Sequence, residues 1–455
     1  MKFLNIAISL VFAALLMPGI SSAEPAQEFQ LANGMKVIVK EDHRAPTAVH
    51  MIWYRVGSMD EVNGQTGIAH VLEHMMFKGT KKHKPGEFSR LVAGAGGKDN
   101  AFTDKDYTAY YQQIPKSRLD DMMALEADRM ANLVLGKEEF AKEIRVVMEE
   151  RRWRTEDKAE ALLDESLHAA AFVANPHGRP VVGWMSDLQS MRVEDAKEWH
   201  DRWYAPNNAT MVVTGDVSAK QVRALAEKHF GHIKAKKLTA TRPQEEPRQR
   251  GMRRVLVKAP ADNPHVVLAF KAPPLRDVEK DDDVFALDVL AAVLDGYDNA
   301  RLTARLVRTD KLANDVSADY SVLSRGPVLF TLEGTPALGV STSELEKLLR
   351  AEVDRIAKEG VSETELNRVK TQLVASQIYK RDSLFGQAME IGVMEMTGIG
   401  HRQIDRLIER LKAVTADQVK SVAQRYFGDD ALTIATLVPL PISETQAPAP
   451  SGMRH

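Results

Sequence analysis

Residues His70-Val-Leu-Glu73-His74 put two imidazoles and a carboxylate within five positions. A spacing of four sets His70 and His74 one turn apart on one face of a helix, where both can reach a single cation with Glu73 beside them. The order His-x-x-Glu-His inverts the commoner zinc-hydrolase motif. A catalytic zinc takes three protein ligands and leaves one position for water, so a third ligand must come from elsewhere. The chain has no cysteine, which leaves only imidazole and carboxylate donors. Glu143 and Glu150 are seven residues apart and so lie on one helical face, whereas Glu149 points about 100° away. Glu150 is therefore the candidate third ligand. Glu143 is the candidate acceptor that orients a ligand histidine through its other ring nitrogen. The charge run from Glu149 to Arg152 also gives Glu143 a plainer reading as part of a solvated face. One zinc ion per chain is expected, although manganese or cobalt suits the same donors.

These side chains need rigid elements beneath them. Residues 67–77 carry Ile68, Val71, Leu72, Met75 and Met76 at helical spacing, so an apolar stripe lies opposite the histidines. Further helices are expected at 86–94, 117–133, 137–154 and beyond, and 193–204, and strands at 35–40, 48–56 and 209–214. Residues 202–213 are echoed by 424–435, with Tyr204 matching Tyr426 and Ala209 matching Ala431. The strand and helix within 48–77 have counterparts at 266–270 and 283–294. Such a long period indicates a duplication rather than a solenoid. The expected fold is α+β, two homologous domains each of mixed α/β-sheet architecture. In the second, Ala291 and Ala292 stand at the places of Glu73 and His74, so that half cannot bind zinc in this way.

The expected boundaries are a signal peptide at 1–23, an N-terminal zinc-binding domain at 24–234 and a linker at 235–253. A metal-free domain at 254–438 and a disordered tail at 439–455 follow. Lys2, the apolar stretch behind it and Ser21-Ser22-Ala23 have the order of a cleaved export signal. An uncleaved anchor is the alternative, but the stretch is shorter than the roughly 20 residues a bilayer span needs. The periplasm is the expected compartment, with no stable membrane span. Lys and Arg total 61 against 63 Asp and Glu, and no basic patch with interleaved aromatics occurs, which argues against nucleic acid as a partner.

The run from Gly67 to Thr80, the preceding Val56 to Glu61, and the Glu143/Glu150 pair resemble the pitrilysin/insulysin family of inverted-motif zinc peptidases. The resemblance is to its half-length bacterial and mitochondrial-processing-peptidase-like branch, and it spans residues 29–438. It implies zinc-dependent endopeptidase activity on peptides or unfolded segments, with Glu73 as the proton acceptor and Glu150 rather than Glu149 as ligand. Asn100, Ala101, Phe102 and Thr103, followed by residues 106–111, resemble the family's strand bordering the substrate cleft, where extended peptides would add main-chain hydrogen bonds. Family members also grip substrate with an Arg and a Tyr in the second half. Here Asn314 holds the tyrosine place, and the arginine place falls on Val307, or on Arg308 after a one-residue shift. Half-length members pair, so a dimer is expected, including a heterodimer with a same-fold subunit that lacks the metal motif. The competing expectation is a non-catalytic or partner-dependent subunit of a peptidase-like complex.

Overall fold

The computed structural model describes residues 25–238, 242 and 244–442. The first half contains β1 (Gln27–Gln30), β2 (Lys36–Glu41), β3 (Thr47–Tyr54), α1 (Ile68–Met75), α2 (Glu87–Gly94), β4 (Lys98–Thr103) and β5 (Thr108–Pro115). It continues with α3 (Leu119–Asn132), α4 (Lys137–Arg151), α5 (Ala159–Ala171), α6 (Met185–Ser190), α7 (Val193–Trp203), β6 (Ala209–Gly215) and α8 (Ala219–Phe230). The second half contains β7 (Arg253–Pro260), β8 (His265–Ala272), α9 (Asp282–Asp295), β9 (Ala313–Tyr320) and β10 (Val328–Pro336). Helices α10 (Thr342–Glu359), α11 (Glu363–Lys380), α12 (Leu384–Thr397), α13 (Ile404–Ala413) and α14 (Ala416–Arg425) precede β11 (Leu432–Leu440).

Two sheets result, with strand orders β1-β2-β6-β3-β5-β4 and β7-β11-β8-β10-β9. Apart from β1 they share one plan. Each holds one parallel pair, β2 with β6 and β7 with β11, and its other pairs are antiparallel. The helix, 3₁₀ turn and strand at α7 to β6 recur at α14 to β11, and β3 with α1 recurs as β8 with α9. The echo between 202–213 and 424–435 thus encodes one supersecondary unit used twice.

Each sheet has its own helices on one face. Ile68, Val71, Leu72 and Met75 of α1 pack there with Ile52 and Tyr54 of β3 in the first core. The opposite faces are covered reciprocally. Leu163, Leu167 and Ala171 of α5 pack on Val267 and Ala269 of β8 and Ala435 and Leu437 of β11. Ala388, Ile391 and Met396, from α12 in the second half, pack on Val49, Met51 and Trp53 of β3 and Val212 of β6. Because strand side chains alternate between faces, each central strand must be apolar on both sides to accept this arrangement, and β6 is buried throughout.

The α12 contact ends in a polar lock. Glu395 accepts Lys36 Nζ at 2.7 Å and His401 Nδ1 at 2.8 Å, joining α12 to β2. With Glu28 these residues form an acidic and imidazole cluster, but the Lys36 ammonium already supplies its cation. Burial opposes the charge on Glu395, yet the bonds from His401 and Lys36 hold its carboxyl down at about 2. A lowered native pKa means that folding favours the ionised form. The stabilisation is then full above the ordinary carboxylate value and is lost as pH falls through about 2. Glu395→Gln should cost about 1–3 kcal/mol at neutral pH. In urea titrations at several pH values, its deficit should narrow below about pH 4.5.

Several expectations change. The cleft-bordering segment folds as a hairpin, β4 and β5, because Asp104 N bonds Tyr107 O at 2.8 Å and turns the chain. The helix beginning at Lys137 ends at Arg151 and passes into a π-helical turn, Arg152–Glu156. Pro439 and Leu440, placed in the tail, instead close β11 by pairing with Ala259 and Pro260. Proline lacks a donor, but the pairing of β11 with β8 stops at Leu437, so Pro439 lies where β11 is bordered by β7 alone. Arg253, placed in the linker, opens β7. Glu246, also in the linker, accepts the amides of Val173, Ala174 and Asn175 and the ammonium of Lys271. The signal segment 1–23 and tail residues 443–455 lie outside the described residues. Among the described residues no helix is long and apolar enough to cross a membrane.

Candidate metal centre

Helix α1 follows directly on Gly67, whose φ of 87° is left-handed and favours glycine. A Cβ there would also lie 2.5 Å from the Val182 carbonyl oxygen. The first-turn amides of Gly67 and Ala69 donate to the Glu61 carboxylate at 2.8 and 2.9 Å, satisfying two groups the helix itself cannot. With its apolar stripe on the sheet, α1 turns His70, Glu73 and His74 toward α4 and the end of β4. His70 is 7% exposed, so the imidazole lies within the protein and not on a solvated face.

The donor atoms of His70, His74 and Glu150 all lie within 4.8 Å of one another. Glu150 Oε2 is 3.3 Å from His74 Nε2 and 3.7 Å from His70 Nε2. Tetrahedral zinc with bonds of about 2.0–2.2 Å sets its ligands roughly 3.3–3.6 Å apart, so Glu150 Oε2 stands close to coordination spacing from both imidazole nitrogens. Glu150 Oε2 is buried without a well-formed hydrogen bond, as expected of an atom whose partner is a cation. The residues therefore fit a zinc ion.

Glu143 Oε1 lies 2.9 Å from His74 Nδ1. If Nδ1–H donates this bond, the Nε2 lone pair is left facing Glu150. Glu143 Oε2 holds Lys78 Nζ at 2.6 Å, and Glu150 Oε1 holds Arg154 Nη1 at 2.7 Å. Burial opposes a charge on His74, but Glu143 and Glu150 outweigh it and push the imidazole up to about 9. Burial, reinforced by the His74 charge, takes His70 down to about 4. Burial also opposes ionisation of Glu150, yet the histidines and Arg154 hold it at about 2. A metal binding here would displace the His74 proton.

Glu73 does not join the three donors. Its Oε2 accepts the Thr103 hydroxyl at 2.5 Å, and burial pushes its carboxyl above the usual range against the pull of that bond. Thr103 thus has a role beyond the cleft-strand reading, holding the carboxylate beside the three donors. Among the described residues β4 pairs with β5 alone, at the end of the sheet. Asn100 Oδ1 accepts the Ala101 amide, and Phe102 packs edge-on against Trp53.

Arg308 is not brought to this cluster. It lies in a π-helical segment, Thr303–Thr309, and bonds Asn299 Oδ1 at 2.6 Å. Asn314, the second residue of edge strand β9, bonds the Pro336 carbonyl. Lys78 and Arg154 are the residues that motif reading passes over. Each sits four positions after a singled-out residue, His74 and Glu150, a spacing that could have marked both.

Two sheets related by duplication thus carry an inverted histidine motif that faces a carboxylate on a neighbouring helix. The chain belongs to the M16 family. Residues 36–183 match the family model described as Insulinase (Peptidase family M16), and 190–373 match Peptidase M16 inactive domain. The chain is 32% identical over 397 residues to a zinc protease, PqqE, of Helicobacter pylori, covering 84% of this chain and 88% of that one. It is 30% identical to an uncharacterised zinc protease of Mycobacterium tuberculosis, covering 90% of this chain and 93% of that one. A crystal structure of a protease from Helicobacter pylori superposes with a TM-score of 0.86 at 30% identity, covering 91% of this chain and all of that one. The periplasmic protease PqqL of Escherichia coli shares the fold at 19% identity, TM-score 0.79, with 94% of this chain covering 50% of that longer protein.

Proposed function

We propose that this chain is a zinc-dependent endopeptidase acting on peptides or unfolded segments, exported to the periplasm and working as a dimer. The observation that carries the reading is the convergence of His70, His74 and Glu150 at zinc-ligand spacing, with the Glu73 carboxylate held beside them. The likeness to curated zinc proteases supports it. In this reading His70, His74 and Glu150 would hold the ion, which when bound would polarise a carbonyl and ease deprotonation of water. Glu73 accepts the proton from the attacking water and returns it to the departing amine nitrogen. Thr103 fixes the direction from which Glu73 acts. The free edge of β4 would receive substrate as an added strand, so main-chain bonds give affinity with little sequence demand.

A partner-dependent subunit remains the second reading, favoured by one observation. Asn314 stands where the family carries a tyrosine, and it and Arg308 each bond a partner within the second half, so the expected substrate grip is incomplete. Metal analysis of the purified chain, with cleavage of a mixed peptide library before and after chelation, tests the proposal. About one zinc per chain and cleavage that is abolished by chelation and restored by zinc are expected. A zinc-loaded chain that cleaves nothing alone, but does so with a same-fold subunit, favours the second reading.

A further inference from the structure

The half without the metal motif sends one side chain deep into the other half. Arg325 lies in the turn between β9 and β10, the hairpin that occupies in the second sheet the place β4 and β5 occupy in the first. Its Nη1 and Nη2 grip Asp60 Oδ2 and Oδ1 at 2.8 and 3.0 Å in a two-pronged bond. The same residue donates its amide to Asp106 Oδ2 at 2.7 Å and Nη1 to the Asp106 carbonyl at 2.9 Å. Asp60 is buried, with a side chain only 2% exposed, and Asp106 is buried too, so both contacts are shielded from solvent.

The turn that carries Arg325 is itself preorganised. The Arg276 guanidinium donates to the carbonyls of Ser324, Arg325 and Gly326. Gly326 lies so close to the first half that a Cβ would stand 2.5 Å from the His177 ring, and His177 Nε2 in turn meets Asp106 Oδ1 at 3.1 Å.

What Arg325 holds is what positions the reacting groups. Asp60 belongs to the loop whose next residue, Glu61, caps the first turn of α1 immediately before His70. Asp106 belongs to the β4–β5 turn, three residues beyond the Thr103 that holds Glu73. Loop and turn are also bonded directly, Ser58 N to Asp104 O at 3.1 Å and Met59 N to Lys105 O at 2.9 Å. A Cβ on Gly57 would lie 2.3 Å from the Asp104 carbonyl oxygen.

We propose that Arg325 is a positioning residue that acts across the two halves, locking the α1 capping loop to the β4–β5 turn so that Glu73 keeps its placement over the metal ligands. This rests on the peptidase reading above for its kinetic consequence, though not for its mechanical one. A charged lysine can neutralise Asp60 but cannot make the two-pronged bond.

The test uses the zinc-loaded full chain and Arg325→Lys, with Arg325→Met as a second variant, below the melting temperature of each. Arg325→Lys should retain its zinc, lose kcat by about 10- to 100-fold and change KM by less than about threefold. Amide exchange at residues 58–59 and 67–69 should quicken by about tenfold or more, while the β11 core stays protected. A kcat within about twofold of wild type, or a loss confined to KM, overturns the proposal. So does unchanged exchange at residues 58–69. Should the wild type cleave no peptide, the peptidase reading fails, and amide exchange in the loaded variants still decides the clamp.

Discussion

Glu73→Gln should abolish most peptide turnover while leaving the metal in place. The amide has the shape of the carboxylate, and its oxygen can still accept the Thr103 hydroxyl that Glu73 accepts at 2.5 Å. Glu73 is not one of the three converging donors, so zinc content and KM should stay near wild type. What disappears is the proton acceptor, and general-base contributions of this kind run to about 10²–10⁴-fold in rate. Paired measurements of kcat and zinc content on one preparation decide the matter. Turnover within an order of magnitude of wild type would remove Glu73 from the chemistry.

Glu150→Gln should do the opposite, releasing the metal first and activity as a consequence. The neutral amide replaces an anionic donor standing 3.3 and 3.7 Å from two imidazole nitrogens. It also leaves Arg154, which pairs with Glu150 Oε1, as an uncompensated cation beside the site. Even partners that only orient a ligand are worth about 10- to 100-fold in affinity, so losing a ligand should exceed about 100-fold. Its neighbour is the control. Glu149 is 72% exposed at its side chain and paired with Arg152, a contact worth about 1 kcal/mol or less. Glu149→Gln should therefore bind zinc as the wild type does. Competition against a chromophoric chelator measures both variants, and the reverse ranking would mean that the wrong glutamate has been assigned.

The contrast between these neighbours shows what could be read before any coordinates. The facing of Glu143 and Glu150 follows from helical geometry, because seven residues make almost two full turns. The apolar stripe of α1 likewise dictates which side His70 and His74 present. Duplication was legible where both copies kept a helix, a turn and a buried strand. Contacts across long sequence distances were not. Nothing in Thr103 announces a bond to a carboxylate 30 residues earlier, and nothing in Arg325 points to Asp60, 265 residues away. The first pair exists because α1 packs beside the end of β4, the second because the two halves meet, and no local periodicity encodes either. The hairpin at 98–115 was hidden for a different reason. Its turn is a short charged run, Asp104 to Asp106, that lacks the glycine or asparagine usually marking a reversal.

The trading of α5 and α12 between the sheets has a consequence for how such a molecule could arise and be taken apart. Severed at the connecting segment, each piece would carry a helix made for the other and a bare apolar surface where the missing helix belongs. The two copies resemble an arm-exchanged dimer sealed by a tether, and a gene encoding only one of them would yield a sticky fragment instead of a smaller folded domain.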